Sequence, residues 1–462
     1  MDGPPRVPIF LLLAVLAIAA ALYGGWPRRS SWDPLVTGSL PRTDLPVNAG
    51  AGPLSIPNAA LEPVGWGDLD GWASDDHAAA FATFNASCHA IVRAVVFRAE
   101  SATNHAADPR SVRAALEQVC TRAIKAGGLE SQAARQFFET NFVPVRIRGL
   151  EDSAGFVTGY YDPIVDGSRF PTREFTVPLY RRPRDLVAPG VAEGGPFPNN
   201  GRAFRRSPAS KLIPYYDRGE IEDGALDGRH LEICWLRTFA DALSIEMEGS
   251  GRVRLEDGSM LRIGYDAHNG HSYVPAGRVL VERHLVPREE VSSQRIRQWL
   301  HDHPEGAKEV RRQNRKVVFF RIVGLGDDTE TIGGQGVPLS PGRSIAVDYA
   351  LHRYGTPFFI EADLPLTSAV NRSSFRRVMI AQDTGSAIVG PARADLYFGA
   401  GNEAARLAER VRQSGRFTIL LPREIDPTVA GASMPLPPVK APAPALAKPS
   451  VQQVNAIRDA AR

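Results

Sequence analysis

Cysteine is scarce in this chain: Cys88, Cys120 and Cys234 are the only three in 462 residues. So small a number at irregular spacing excludes a disulfide framework and a cysteine-based zinc signature. It leaves open whether Cys88 and Cys120 pair or stay as buried thiols. Phosphate-cradling loops are missing as well. No GxGxxG or GxxxxGK[ST] stretch stands between a strand and a helix, so dinucleotide and P-loop readings lack support. HExxH and GxSxG are absent, which removes the simplest zinc-peptidase and serine-hydrolase readings. His268, His271 and His284 are close in sequence, but the first two flank Asn269-Gly270 and read as loop histidines. Charge of either sign is nearly balanced, at +3 overall with 23% charged residues. Nothing there calls for a nucleic-acid partner, and neither a metal nor a cofactor is expected.

Long apolar runs are lacking too, with one exception. Val7 to about Leu22 is continuously apolar, preceded by Arg6 and followed by Arg28-Arg29. Residues 1–26 are therefore expected to direct export, either as a cleaved signal or as a retained membrane anchor. No cysteine follows this run, so attachment through a lipidated cysteine is not available, and an outer-membrane lipoprotein is disfavoured. Export is what these residues predict; combined with the family resemblance given below, the expected location is the periplasm, soluble or tethered to the inner membrane. Residues 27–63 are rich in Pro, Gly and Asn and read as a linker. Residues 424–462 are a Pro/Ala-rich tail with nothing to bury, expected to be disordered.

The remaining length implies two folded domains. Residues 64–164 carry three helical patterns and the first strands. Residues 165–316 shift to short β-type runs broken by Gly, Pro and Asp, including an EDG hairpin signal at 256–258. They are read as a small inserted β domain, with helices towards its end. Its basic cluster, Arg311, Arg312, Arg315 and Lys316, reads as a solvated helix face. Residues 317–423 resume with longer strands, a helix from Asn402 to Gln413 and a final strand.

In that last segment lie SIAVDYALHRYGTPFFI and MIAQDTGSAIVGPARADLYFG, which hold Asp348, Asp383 and Asp395. The first two end short β-type runs where a turn begins. A carboxylate placed so can face a cleft while the strand fixes its backbone. Asx-turn capping accounts for one such aspartate, but less well for three. Acid-catalysed glycoside cleavage needs a protonated carboxyl, and a neighbouring carboxylate or partial burial supplies the raised pKa. The residues alone do not distinguish one acid/base from a hydrolase's pair.

These motifs resemble the membrane-bound lytic murein transglycosylase A family and its three-aspartate (3D) domain. The likeness extends through Gly159-Tyr160-Tyr161-Asp162-Pro163, Pro178-Leu179-Tyr180, Gly249-Ser250-Gly251, Asn269-Gly270, Val318-Phe319-Phe320 and Gly336-Val337-Pro338-Leu339. It covers about residues 64 to 422. The resemblance implies a mainly β protein: a double-psi β-barrel carrying the aspartates, flanking helices, an inserted small β-barrel domain and a glycan groove between the two. It implies cleavage of the β-1,4 bond from N-acetylmuramic acid to N-acetylglucosamine in peptidoglycan, leaving a 1,6-anhydromuramoyl end without consuming water. Exolytic action by a monomer on glycan strands is the accompanying expectation. The alternatives are a two-carboxylate muramidase and a non-catalytic wall-binding module. Asp395 is the expected acid/base, Asp383 its tuning companion and Asp348 a more structural third. Tyr160 and Asn269 are the leading groove candidates, followed by Gln382, Ser250, Glu248 and Gly385. Two departures stand out: Glu248 where the family commonly has glutamine, and Gly385-Ser386 where it often has two glycines.

Overall fold

The computed structural model describes residues 56, 59–101, 112–149, 154–189, 197, 201–291, 293–325, 330–368 and 371–425. The expected export segment and nearly all of the linker and tail lie outside them. Strand β1 (Ala59–Pro63) opens the fold, followed by helices α1 (His77–Ser101), α2 (Val112–Ala126) and α3 (Ser131–Asn141). Strands β2 (Phe142–Gly149) and β3 (Gly155–Asp162) come next. Because β1 pairs antiparallel with β2, the folded unit begins at 59, inside the stretch read as linker to 63.

The second unit comprises β4 (Ile164–Ser168), β5 (Val177–Tyr180), β6 (Phe204–Arg206), β7 (Leu212–Pro214), β8 (Glu232–Leu236), α4 (Phe239–Glu248), β9 (Ser250–Arg254) and β10 (Met260–His268). It ends with α5 (Ala276–Glu282), α6 (Ser293–Asp302), α7 (Pro304–Gln313) and β11 (Val318–Leu325). Six of these strands form one sheet in the order β11-β10-β9-β4-β8-β5, and β6 pairs with β7 apart from it. A bridge between Arg181 and Phe320 links the two edges of that sheet, so it curls towards closure. The EDG signal does turn the chain from β9 to β10, with Gly258 at φ +80°. Two expectations need correcting here. The run from Val318, assigned to the last domain, pairs with β10 in the insert. Residues 239–248, which fall among the short β-type runs read for 165–316, form the helix α4, whose start Thr238 caps by accepting from the Asp241 N–H.

The chain then returns through β12 (Ser344–Val347), β13 (Pro357–Leu364), β14 (Ser373–Asp383), β15 (Arg393–Ala400), α8 (Gly401–Ala408) and β16 (Arg412–Pro422). The helix expected to reach Gln413 stops at Ala408, and Gln413 is already strand. In the order β16-β13-β14-β12-β15-β3, with β16 pairing again to β3, six strands close into a barrel. Two of its pairings are parallel, β12 with β14 and β15 with β3.

Alternation along these strands builds two cores. Phe358, Ile360, Met379, Ala381, Ile419 and Leu421 join one cluster with Val157, Ala394 and Leu396. Their neighbours Phe359, Val378, Ile380 and Leu420 point the other way, onto Phe81, Phe84 and Phe138 of the helices. Cys88 and Cys120 are disulfide-bonded, joining α1 to α2, while Cys234 is a buried free thiol. Arg343 clamps the helices to the barrel through a buried bidentate pair with Asp75 at 2.8 and 2.9 Å. Removing one partner would strand a buried charge, at a cost of about 3–5 kcal/mol. The same alternation that buries Val157, Ala394 and Leu396 puts Thr158, Tyr160, Asp395 and Tyr397 on the opposite face.

Candidate active site

Strands β3 and β15 run parallel, with Asp395 opposite Thr158 and Tyr397 opposite Tyr160. The Thr158 hydroxyl donates to Asp395 Oδ1 at 2.5 Å, and Arg393 donates to the same hydroxyl at 2.8 Å. Among the described residues no other donor reaches Asp395. Burial pushes its carboxyl up to about 6, against the pull of the Thr158 hydrogen bond and the Arg393 charge, with the Asp383 charge adding to the rise. A half-buried carboxyl with one donor and a raised pKa is equipped to give and take a proton near neutrality.

Asp383 ends β14 and is held quite differently. Its Oδ1 accepts from the Gly334 and Thr384 amides at 2.8 and 2.9 Å, and its Oδ2 from the Tyr160 hydroxyl at 2.9 Å. Burial outweighs these three donors and leaves its carboxyl above the usual aspartate range. Each of its neighbours offers a proton and none asks for one, an arrangement that suits a carboxylate. Gly334 comes this close because it lacks a side chain: a Cβ there would lie 2.4 Å from Tyr354 Oη and 3.2 Å from Asp383 Oδ1. Burial, with the Asp383 charge beside it, holds the Tyr160 phenol protonated far above its usual range. The Tyr160 ring packs at 5.3 Å from that of Tyr397.

Asp348, just past β12, accepts from the Ala350 amide at 3.0 Å and the Gly390 amide at 2.9 Å. It fastens the loop that joins Asp383 to Asp395. Gly385 lies in that loop, its carbonyl accepting from the Ile388 amide at 2.9 Å. Glu248 closes α4 of the insert and reaches β3, where its Oε2 accepts from the Tyr161 amide at 3.3 Å. Burial, reinforced by the Asp395 charge, raises its carboxyl well above the usual range. In the protonated state it offers a donor as well as an acceptor.

Two groove candidates are corrected by their surroundings. Gln382 is fully buried, donating to the Thr83 carbonyl at 3.1 Å and Ser87 Oγ at 2.8 Å while accepting from Ser344 Oγ. Asn269 is fully buried as well. It donates to the carbonyls of Tyr216 and Arg315 at 3.0 and 2.8 Å and accepts from the Val317 amide at 3.0 Å. The half-buried Ser250 donates its hydroxyl to Asp162 at 2.7 Å, within a seam where Arg252 and Thr331 bind the same buried carboxylate, and its oxygen keeps acceptor capacity. Gln382 and Asn269 hold the fold around the site. Thr158, Arg393 and Gly334 were missed, although Thr158 and Arg393 each sit two residues from a candidate on an alternating strand and so share its face.

Comparison with known proteins agrees with this layout. The "MltA specific insert domain" profile matches residues 156–321 and the "3D domain" profile residues 343–421. A membrane-bound lytic murein transglycosylase A of Vibrio cholerae is 32% identical over 283 residues, covering 60% of this chain and 68% of the relative. The crystal structure of a membrane-bound lytic murein transglycosylase from Agrobacterium tumefaciens is 36% identical at a TM-score of 0.65, covering 79% of this chain and 98% of that one. Escherichia coli MltA with bound chitohexaose is 26% identical at a TM-score of 0.53, covering 80% and 95% respectively. With both profiles matched and relatives of this similarity, the chain belongs to the membrane-bound lytic murein transglycosylase A (MltA) family.

Proposed function

We propose that this enzyme is a lytic transglycosylase that cleaves the β-1,4 bond between N-acetylmuramic acid and N-acetylglucosamine in peptidoglycan. The observation that carries the reading is the contrast between Asp395, with one donor and a pKa near 6, and Asp383, saturated by three. Protonated Asp395 gives its proton to the glycosidic oxygen as the bond to muramic C1 breaks. The resulting carboxylate takes the proton of the muramic C6 hydroxyl as O6 closes on C1. The proton lost in the first step is regained in the second, water is not consumed, and the product is a 1,6-anhydromuramoyl end. A pKa near 6 suits both halves of that exchange. Ionised Asp383, braced by Tyr160, adds negative charge that favours the protonated form of Asp395 and the positive charge developing at C1.

Supporting this reading, the relative with bound chitohexaose carries a β-1,4 amino-sugar chain. The two parallel pairings in the six-stranded barrel favour the double-psi type, with the insert as the second wall of the groove. The names of the relatives together with the apolar N-terminus support a location in the cell envelope, where its substrate lies. Mass analysis of the products from purified peptidoglycan tests the proposal. Anhydromuramoyl ends are expected; reducing muramoyl ends would favour a hydrolase, and intact glycan a binding module.

A further inference from the structure

Of the basic cluster Arg311, Arg312, Arg315 and Lys316, three members are accounted for inside the insert. Arg311 and Arg312 pair with Glu222 and Asp223, and Arg315 pairs with Asp217. Lys316 makes no ion pair with any described residue. Its half-buried side chain runs from the insert to the barrel, where Nζ lies 3.4 Å from the hydroxyl of Ser386. Ser386 follows Asp383 by three positions, on the loop that Asp348 fastens. The acid whose charge acts on the ammonium is Glu246, but Arg218 already holds that carboxylate with contacts of 2.6 and 3.2 Å.

The backbone at Lys316 is fixed with unusual care. Asn269 binds the Arg315 carbonyl on one side and the Val317 amide on the other. Arg218 donates to the Lys316 carbonyl, and the Lys316 amide donates to Asn314 Oδ1 at 3.3 Å. So much bracing around a cation without a counter-ion is what a preorganised anion contact needs. Burial holds the ammonium below the usual lysine range, a penalty that a bound anion would offset. Of the other ionisable side chains placed at the site above, Asp383, Asp395, Glu248 and Tyr160 are acidic, and the one cation, Arg393, is turned to Thr158 and Asp395, so Lys316 is the cation left to an incoming anion.

We propose that Lys316, with Ser386, is a carboxylate-binding site that holds the muramoyl unit by its lactyl carboxylate or by a carboxylate of the attached stem peptide. This rests on the preceding reading that the groove takes a murein strand. It would let the enzyme distinguish murein from a plain amino-sugar polymer by charge.

The test uses Asp395→Asn protein, so that nothing is turned over, with and without Lys316→Met. Calorimetry measures binding of three hexasaccharides: chitohexaose, which has no carboxylate; peptide-free murein glycan, with free lactyl groups; and the same glycan carrying stem peptides. Lys316→Met is expected to weaken at least one carboxylated ligand about ten-fold, leave chitohexaose unchanged and be largely rescued by Lys316→Arg. The ligand that weakens names the carboxylate, and unchanged chitohexaose affinity shows that the groove still folds. Equal loss on all three ligands, or no loss on any, overturns the proposal. Should Asp395→Asn protein with Lys316 intact bind none of them, the murein-groove reading itself falls and takes the Lys316 site with it.

Discussion

The end of β14 and the start of β15 each offer an aspartate to one cleft, and the two are held in opposite ways. Asp383 receives three hydrogen bonds, two from backbone amides and one from Tyr160. Asp395 receives one, from a threonine that is itself engaged by Arg393. Both are taken out of water, so the number of donors separates their roles. A surplus of donors fixes a charge in place, and a shortage leaves a carboxyl able to carry a proton. The difference comes from the neighbouring chain rather than from either aspartate.

Asp395→Asn removes the proton carrier with little change of shape. Formation of anhydro ends is expected to fall on the order of 10³-fold, measured as the rate of product release from purified glycan strands. Gly334→Ala acts on the other side of the comparison. Its Cβ must displace Tyr354, which withdraws an amide from Asp383, and a loss of roughly 10–100-fold in kcat with a smaller change in KM is expected from the same assay.

Stability should move opposite to activity. The folded pKa of Asp395, about 6, lies above the ordinary aspartate value, so its contribution is fully present below pH 4 and is lost as pH rises through 6. Thermal unfolding at pH 7.5 should therefore show Asp395→Asn more stable than the parent by roughly 1–3 kcal/mol, with the gap closing near pH 3.5. Thr158→Val deletes the one bond that favours the Asp395 anion. The alkaline limb of kcat/KM, where the acid is lost, should shift upward by up to about one pH unit.

Asp348 and Asp383 were legible because each sits where β-type residues meet a turn, a pattern that local sequence carries, whereas Asp395 lies inside β15 and was picked out by the family resemblance. The raised pKa expected of such a cluster also needed only burial and proximity. Asn269 and Gln382 misled because a polar residue serving the fold and one serving a sugar look alike until their partners are known. Asn269 finds its partners at Tyr216, Arg315 and Val317, and Gln382 finds its own at Thr83 and Ser87, nearly 300 residues earlier in the chain. The domain boundary at 317 failed for a related reason. Val318–Phe320 is as apolar as a barrel strand, and only its pairing with β10 assigns it to the insert. Asp75 lies just before α1, yet its buried pairing with Arg343 crosses 268 residues and leaves no local trace.

That Asp395, and not Asp383, carries the proton is most directly tested by following both side-chain carboxyl carbons by NMR as pH is varied. Asp395 is expected to titrate near 6, its resonance disappearing in Asp395→Asn, while Asp383 stays ionised through that step. A midpoint for Asp395 near 4, or Asp383 titrating at 6 in its place, would contradict the assignment.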